Sequence, residues 1–358
     1  MQLKRDILKA GLPLPAPPRP LPEVGGGGGG GGMGNANGTV DLSGGAAPAS
    51  PALGLGTLRG MGSQSNGAGA GSAAAASASS EQRLMVKSTT GVVYFVGNKL
   101  GGGNFGVVHD CKDAFERDFV AKQIRPNRKK EELEAEWAKE VQFLFSLNHP
   151  NIVRLFDAFQ YDDRYYMIME RCAGSVRDYV KRNGPMDGPR VIDAAGQILS
   201  GLNHIHSRDI IHRDLHIDNV LYADSLPGQN VYMKISDFGI SKLLKNGQAA
   251  AKTFIGRDYD YAPELVTKGH TTTRSDLYQC GLVLFHLYTG RHVLSAKDGD
   301  NVVQVITSGL AGQRAKALNT KLGDVLAVLL RREPDYRFSD ATEAWQAIYS
   351  IVNPPRQQ

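Results

Sequence analysis

From Val92 onward, apolar and polar positions begin to alternate along the chain. VVYFVGNKL, residues 92–100, interleaves aromatic and β-branched residues with polar ones, and FVAKQI, residues 119–124, does the same. A period of two over such residues predicts strands. Further along the period lengthens. EELEAEWAKEVQFLFSL, residues 131–147, spaces its apolar positions for one face of a long helix and carries acids early, where a helix N-terminus favours them. VIDAAGQILSGLNHIH (191–206) and SDLYQCGLVLFHLYTG (275–290) are apolar enough around their circumference to predict buried helices. VYMKIS, residues 231–236, reads as a further strand. Strands first and mostly helices afterwards predict an α+β fold, with a small β-rich lobe and a larger helical lobe sharing a cleft.

The first 85 residues follow neither pattern. Pro13 to Pro22 is dense in proline, Gly25 to Gly32 is unbroken glycine, and alanine, serine and glycine dominate residues 44–80. Such a segment cannot bury enough apolar area to offset the entropy of ordering, so residues 1–85 are expected to be a disordered tail. Met33, Met61 and Met85 are alternative starting methionines within or at the end of it. The PPRPLP stretch suits polyproline II and a proline-reading module, although a solvated tail is the plainer reading. The ordered domain is expected over residues 86–353, with the smaller lobe at about 86–170 and the larger at about 173–353, and a short tail at 354–358.

Composition excludes several classes. Three cysteines, Cys111, Cys172 and Cys280, are too few for a disulfide framework and point to a reducing compartment, with the cytoplasm as the expected location. No run approaches the roughly 18 apolar residues of a membrane helix. The formal charge of +5 is spread among acids with no aromatic-basic cluster, so no nucleic-acid partner is expected.

Against that background the short motifs stand out. LGGGNFGVV places Leu100 before Gly101, Gly103 and Gly106, with Val108 following. Glycines at that spacing let a strand–turn–strand close over phosphates with backbone N–H groups facing them. The pattern precedes a strand rather than a helix, which argues against a dinucleotide-binding unit. Lys122 lies in the strand after it and enters a cleft only if the alternation turns it inward. Glu140, ten residues before Pro150, could hold that lysine by an ion pair, with Glu136 one turn earlier as the rival. HRDLHIDN, residues 212–219, then puts Asp214 and Asn219 five apart, and DFG follows at Asp237 to Gly239. Carboxylate and amide oxygens are hard ligands suited to Mg²⁺ or Mn²⁺.

The ordered set LGGGNFGVV, VAK, Glu140, HRDLHIDN, DFG, APE (Ala262 to Glu264), SDLYQCG and Arg337 resembles the eukaryotic-type protein kinase family, of the serine/threonine-kinase kind, over about 260 of the 358 residues. The resemblance implies a two-lobed kinase fold and an ATP-dependent protein kinase that transfers the γ-phosphoryl group to a protein hydroxyl, with ATP and Mg²⁺ or Mn²⁺ as cofactors and a protein as substrate. By it Asp214 is the catalytic base, Asn219 and Asp237 hold the metal, and Lys122 with Glu140 holds the phosphates. Leu100, Gly101, Gly103, Gly106, Val108, Ala121 and Leu221 enclose the nucleotide. Met169 guards the back of the pocket, while Glu170 and Cys172 offer backbone groups to adenine. Glu264 with Arg337 forms a buried ion pair, Asp276 anchors the catalytic loop, and Leu144, Leu155, His212 and Phe238 stack between the lobes. Arg213 pairs with a phosphate on the activation segment, for which Thr253 is the candidate.

Two positions depart together. His216 stands where serine/threonine kinases carry a lysine, and Arg257 where they carry the threonine that binds it. Arg257 could restore the lost positive charge, because a guanidinium suits phosphate. Asp260 and Tyr261 also depart from the usual substrate-facing loop. The acceptor is expected to be serine or threonine. The alternatives are a tyrosine or dual-specificity kinase, a pseudokinase scaffold that keeps the fold, and a phosphotransferase for small molecules.

Overall fold

The computed structural model describes residues 83–103, 106–124, 137–138, 141–223, 231–238 and 259–354. Six strands form the first sheet: β1 (Leu84–Lys87), β2 (Val93–Gly103), β3 (Gly106–Asp113), β4 (Asp118–Ile124), β5 (Leu155–Tyr161) and β6 (Arg164–Glu170). Their order is β1-β2-β3-β4-β6-β5, with every neighbouring pair antiparallel. β1 begins two residues before the composition break suggested. LMVK is too short to show a period, and its place is fixed by pairing with residues 93–96 of β2. In β2 the alternation sends Tyr94 and Val96 inward, where they join Val86, Cys111, Phe119, Ala121 and Ile168 in the core of the small lobe.

The helical pattern predicted over 131–147 is described only at residues 137–138 and at α1, residues 141–146, where it is helical. The chain then passes through β5 and β6 to β7 (Gly174–Ser175) and into the larger lobe. α2 (Val176–Asn183) starts from a capping box in which Ser175 and Asp178 bond each other's backbone amides. α3 (Gly188–His206) starts at the Asp187 N-cap. β7, β8 (Val220–Ala223) and β9 (Tyr232–Ile235) form a small antiparallel sheet beneath the cleft. It is joined to the segment leading into β5 by the Val153 amide on the Ile235 carbonyl and the Ile235 amide on the Asn151 carbonyl, at 2.9 and 2.8 Å.

α4 (Pro263–Lys268) precedes α5 (Thr273–Thr289), the axis of the larger lobe. Thirteen consecutive α5 residues, Ser275 to Leu287, are buried, which explains why the run is apolar on all sides rather than amphipathic. It ends at Gly290, whose φ of 71° is the left-handed conformation that closes a helix. α6 (Val302–Thr307), α7 (Leu310–Lys316), α8 (Lys321–Leu329) and α9 (Ala341–Tyr349) complete the lobe around it. Among the described residues no helix is long and apolar enough to cross a membrane.

Candidate active site

The glycine-rich segment is the β2–β3 hairpin, with Gly101 opposite Val108 and Gly103 opposite Gly106. A Cβ on Gly106 would run into the Gln123 carbonyl of β4, so glycine is needed there for close backbone approach. Leu100 occupies a register irregularity of β2 between Lys99 and Gly101 and is 53% exposed.

Val108 sits opposite Lys122, and Val120 opposite Met169. Residues two apart share a face, so Val108, Val120, Lys122 and Met169 lie on one side of the sheet. Val120 packs on the core that contains Leu144 and Met169, the same core against which Leu221 and Cys172 pack. Ala121 does not belong to this group. It is fully buried on the opposite face, with Cys111, Phe119 and Ile168. The expectation that Ala121 covers the nucleotide is therefore corrected by one residue to Val120, because turning Lys122 into the cleft turns Ala121 out of it.

Lys122 Nζ donates to Asp237 Oδ1 at 2.6 Å. This ammonium holds the Asp237 carboxyl below its usual range, more strongly than desolvation raises it. Asp237 has φ of 51°, and its side chain is about half exposed. The preceding residue ties it to the catalytic loop: the Ser236 amide and Oγ both donate to the Asn219 carbonyl, at 2.8 and 3.0 Å. Asn219 Nδ2 donates to the Asp214 carbonyl at 2.9 Å, which orients the amide and directs its oxygen away from that bond. One carboxylate and one amide oxygen, held side by side by this backbone link, fit a hard divalent cation that takes its other ligands from phosphates and water. Among the described residues no cluster of three or more His, Cys, Asp or Glu forms a closed metal cage.

His216 is 2% exposed. Its Nδ1 accepts the Asp218 amide at 3.1 Å, which leaves Nε2 as the protonated nitrogen of the neutral ring. Nε2 lies 4.0 Å from Asp214 Oδ2, longer than a hydrogen bond, and Nδ1 lies 3.7 Å from Asp218 Oδ2. Asp214 is thus flanked by a ring fixed from behind and aimed at its carboxylate.

Beneath this face the loop is locked down. Asp276, fully buried on α5, accepts the His212 amide on Oδ2 and the Arg213 amide on Oδ1, at 2.8 and 2.9 Å. The same Oδ2 is 2.8 Å from His206 Nε2. Arg213 has φ of 69°, and its Nε is buried without a hydrogen-bond partner among the described residues. His212 donates from Nε2 to the Ser236 carbonyl, its ring lies 5.0 Å from that of Phe238, and burial lowers its pKa. Phe238 shares one continuous core with Leu144 and Leu155, and His212 adjoins it through this ring contact. Glu264 receives a two-pronged bond from Arg337, both contacts 2.8 Å, and a third from Ser275 Oγ. Burial pushes the Glu264 carboxyl up, but these donors more than offset it and hold it below its usual range.

At the far edge of the cleft the Glu170 amide is already bonded to the Arg154 carbonyl, and its carboxylate pairs with Lys234. Its amide and its carboxylate are thus both engaged within the chain. Burial pushes the Cys172 thiol up to about 12, so its side chain is not a nucleophile near neutral pH.

Three groups went unread in the sequence. Gln279 bridges two loops, accepting the Leu215 amide on Oε1 and donating Nε2 to the Asp260 carbonyl. Lying three residues after Asp276 it shares that helix face, a signal the helical period carries. His206 and the pair Arg177–Asp218 left no such signal, because folding alone brings them to their partners. Glu140 and Glu136, Gly239, Thr253 and Arg257 lie outside the described residues, as does the proline-rich tail.

The family described as protein kinase domain matches residues 94–350. The chain is 30% identical over 244 residues to the serine/threonine-protein kinase Nek1 of Mus musculus, covering 66% of this chain and 20% of that one. It is 28% identical over 254 residues to the serine/threonine-protein kinase PrkC of Bacillus subtilis, covering 68% and 38%. It therefore spans well under half the length of these curated relatives. Among solved structures it is similar to Rad53 residues 1–466 in complex with AMP-PNP, with a TM-score of 0.57, 27% identity, and 69% and 62% of the two chains covered.

Proposed function

Because this chain belongs to the protein kinase domain family, we propose that it transfers the γ-phosphoryl group of ATP to serine or threonine hydroxyls of proteins. The observation that carries the reading is the run of hydrogen bonds that ties Lys122 to Asp237, the neighbouring Ser236 to Asn219, and Asn219 to Asp214. Phosphoryl transfer asks a protein mainly to position groups and neutralise charge. The β2–β3 hairpin lies over the phosphates, with backbone amides toward them. Val108 and Val120 cover the adenine from above and Leu221 supports it from below. Lys122 exchanges its bond to Asp237 for phosphate oxygens. Asp237 and Asn219 would hold Mg²⁺ or Mn²⁺, which when bound spreads the charge that builds on the transferring group. Asp214 orients the acceptor hydroxyl and takes its proton.

The relatives named serine/threonine kinases support that acceptor class. His216 takes the lysine's place beside Asp214, and Arg257 supplies the positive charge that the exchange removes. Arg213, with its buried unpartnered Nε, receives a phosphate carried by Thr253, and Thr253→Ala lowers activity. All three cysteines are free thiols, which supports a reducing compartment such as the cytoplasm. The reading is tested by incubating the chain with γ-labelled ATP, Mg²⁺ and a generic protein substrate. Label on phosphoserine or phosphothreonine is expected. Label on phosphotyrosine alone overturns the acceptor class, and no label overturns the reading.

A further inference from the structure

The hairpin that covers the cleft is tied to a residue ahead of the first strand. Arg83 immediately precedes β1, whose first pair is Leu84 with Val96, so its side chain starts beside Gly97 of β2. There the β2–β3 register slips. Val96 is opposite Cys111 and Lys99 opposite His109, which leaves two residues, Gly97 and Asn98, against Asp110 alone. Such a bulge bends its strand and raises its twist. It comes just before Leu100 and the glycine-rich turn, so it sets the course of the hairpin over the cleft.

Asp110 forms the tie. Its partner in β4 is Val120, as Lys122 is the partner of Val108, so Asp110 shares the face that carries Val108, Val120 and Lys122. It stands about 7 Å along β3 from Val108. Its carboxylate lies against Gly97. A Cβ there would sit 2.7 Å from both oxygens, so a side chain at 97 would displace the carboxylate. Across that opening Asp110 Oδ2 meets Arg83 Nη2 at 3.2 Å, and the side chains are only 15% and 27% exposed. Oδ1 is buried with no hydrogen-bond partner among the described residues. From the opposite face His109 Nδ1 donates to the Gly97 carbonyl at 3.1 Å. Two consecutive residues of β3 thus hold the bulge from both sides, and among the described residues Arg83 is the cation placed against the carboxylate.

Anchoring β1 does not require this pair. Four residue pairs already join β1 to β2, and Val86 is fully buried in the core of the small lobe. The bulge does require it. A carboxylate withdrawn from water with one oxygen unbonded is costly without a counter-charge. Released from Arg83 it turns toward solvent, and the register of β3 on β2 loosens with it.

We propose that Arg83 is a positioning residue for the nucleotide: its charge keeps the Asp110 carboxylate seated against the Gly97 bulge, which holds Val108 and the glycine-rich turn over ATP. The inference rests on the protein kinase reading above. Arg83 acts through Asp110 rather than on the nucleotide. It lies ahead of residues 94–350, which match the family, so the seating of the hairpin draws on a segment outside the matched region. Without Arg83 only a fraction of chains keeps the hairpin seated. The apparent affinity for ATP falls by that fraction, while the transfer step from the bound complex is kept.

The test uses the full chain. KM for ATP and kcat come from the labelled-ATP assay, Kd for a non-hydrolysable ATP analogue from calorimetry, and Tm reports folding. Arg83→Met raises KM and Kd about tenfold, as when about one chain in ten keeps the hairpin seated, with kcat within about twofold of wild type. Arg83→Lys keeps the charge and stays within about threefold of wild type on both. Adding Asp110→Asn to Arg83→Met removes the charge that needed a partner, and brings Kd back to within about threefold of wild type. Arg83→Gln is read in the same way if the methionine variant does not fold. Unchanged KM and Kd in a folded Arg83 variant, an equal loss in Arg83→Lys, or a loss that persists with Asp110→Asn overturns the proposal and leaves the kinase reading standing. A wild type that binds the analogue but labels no protein overturns the kinase reading alone, and the Kd ratios still decide the role of Arg83. A wild type that does neither overturns both.

Discussion

Beneath the catalytic loop, fully buried Asp276 spends both oxygens on three donors, the His212 and Arg213 amides and His206, all within 2.9 Å. Above it, His216 lies 4.0 Å from Asp214 and 3.7 Å from Asp218, and the next carboxylate is held by an exposed arginine. Asp276 closes its hydrogen bonds within the chain. On the reacting face the described contacts of His216 with the two carboxylates are longer than hydrogen bonds. This difference explains where the sequence departs from its family. A change under the loop strands a buried polar group at once, whereas a change on the face alters a contact that the bound reactants help to make.

The comparison breaks most sharply at the buried ion pair below α5. Arg337→Ala leaves Glu264 charged and unpaired in the core, and should cost about 3–5 kcal/mol. Urea unfolding at pH 7 measures it, and a loss under about 1 kcal/mol would show that the underside is not the rigid half.

A smaller effect is expected at His286, at the junction of the two halves. Its pKa of about 4 in the fold lies below the ordinary histidine value near 6.5, so the unfolded chain takes up the proton first. Its contribution to stability is complete above about pH 6.5 and is lost as pH falls toward 4, by ~2 kcal/mol at pH 5 and about 3 kcal/mol at pH 4. His149, His204 and His212, also lowered chiefly by burial, act in the same direction. The substitution His286→Gln isolates one share: it should shrink the difference in urea midpoint between pH 7 and pH 5. An identical difference in the variant would remove His286 from the account.

The smallest effect sharpens the reacting face. In His216→Asn the amide oxygen can keep accepting the Asp218 amide while the Nε2 group is lost. In His216→Gln the Nε2 position keeps a donor and the Nδ1 acceptor is lost. The first should lower kcat about tenfold with little change in Tm, and the second should lower Tm with kcat nearly kept. The reverse pattern would place the role of His216 in packing rather than beside Asp214.

The same division governs what could be read from letters. Lys122, Asp214, Asn219 and Asp237 were legible because phosphate and metal chemistry demands those residue types in a fixed order. β2 and α5 were legible because alternation and an unbroken apolar run are local. Ala121 was misplaced by one residue, since a strand's period shows that neighbours oppose each other but not which of them faces the cleft. Spacing did not reveal the contact of Lys122 with Asp237, 115 residues away, and Glu140, to which spacing pointed, lies outside the described residues. Arg177 and Asp218, 41 residues apart, meet only because α2 lies across the loop.

The central claim, that Asp214 serves an ATP-dependent transfer to protein hydroxyls, is met most directly by the labelled-ATP assay run on wild type beside Asp214→Asn, with Tm recorded for both. Asn keeps the size of the side chain and removes its capacity to take a proton. Transfer should fall by about 10²–10⁴-fold with Tm nearly unchanged. Equal labelling by the two folded proteins would contradict the account.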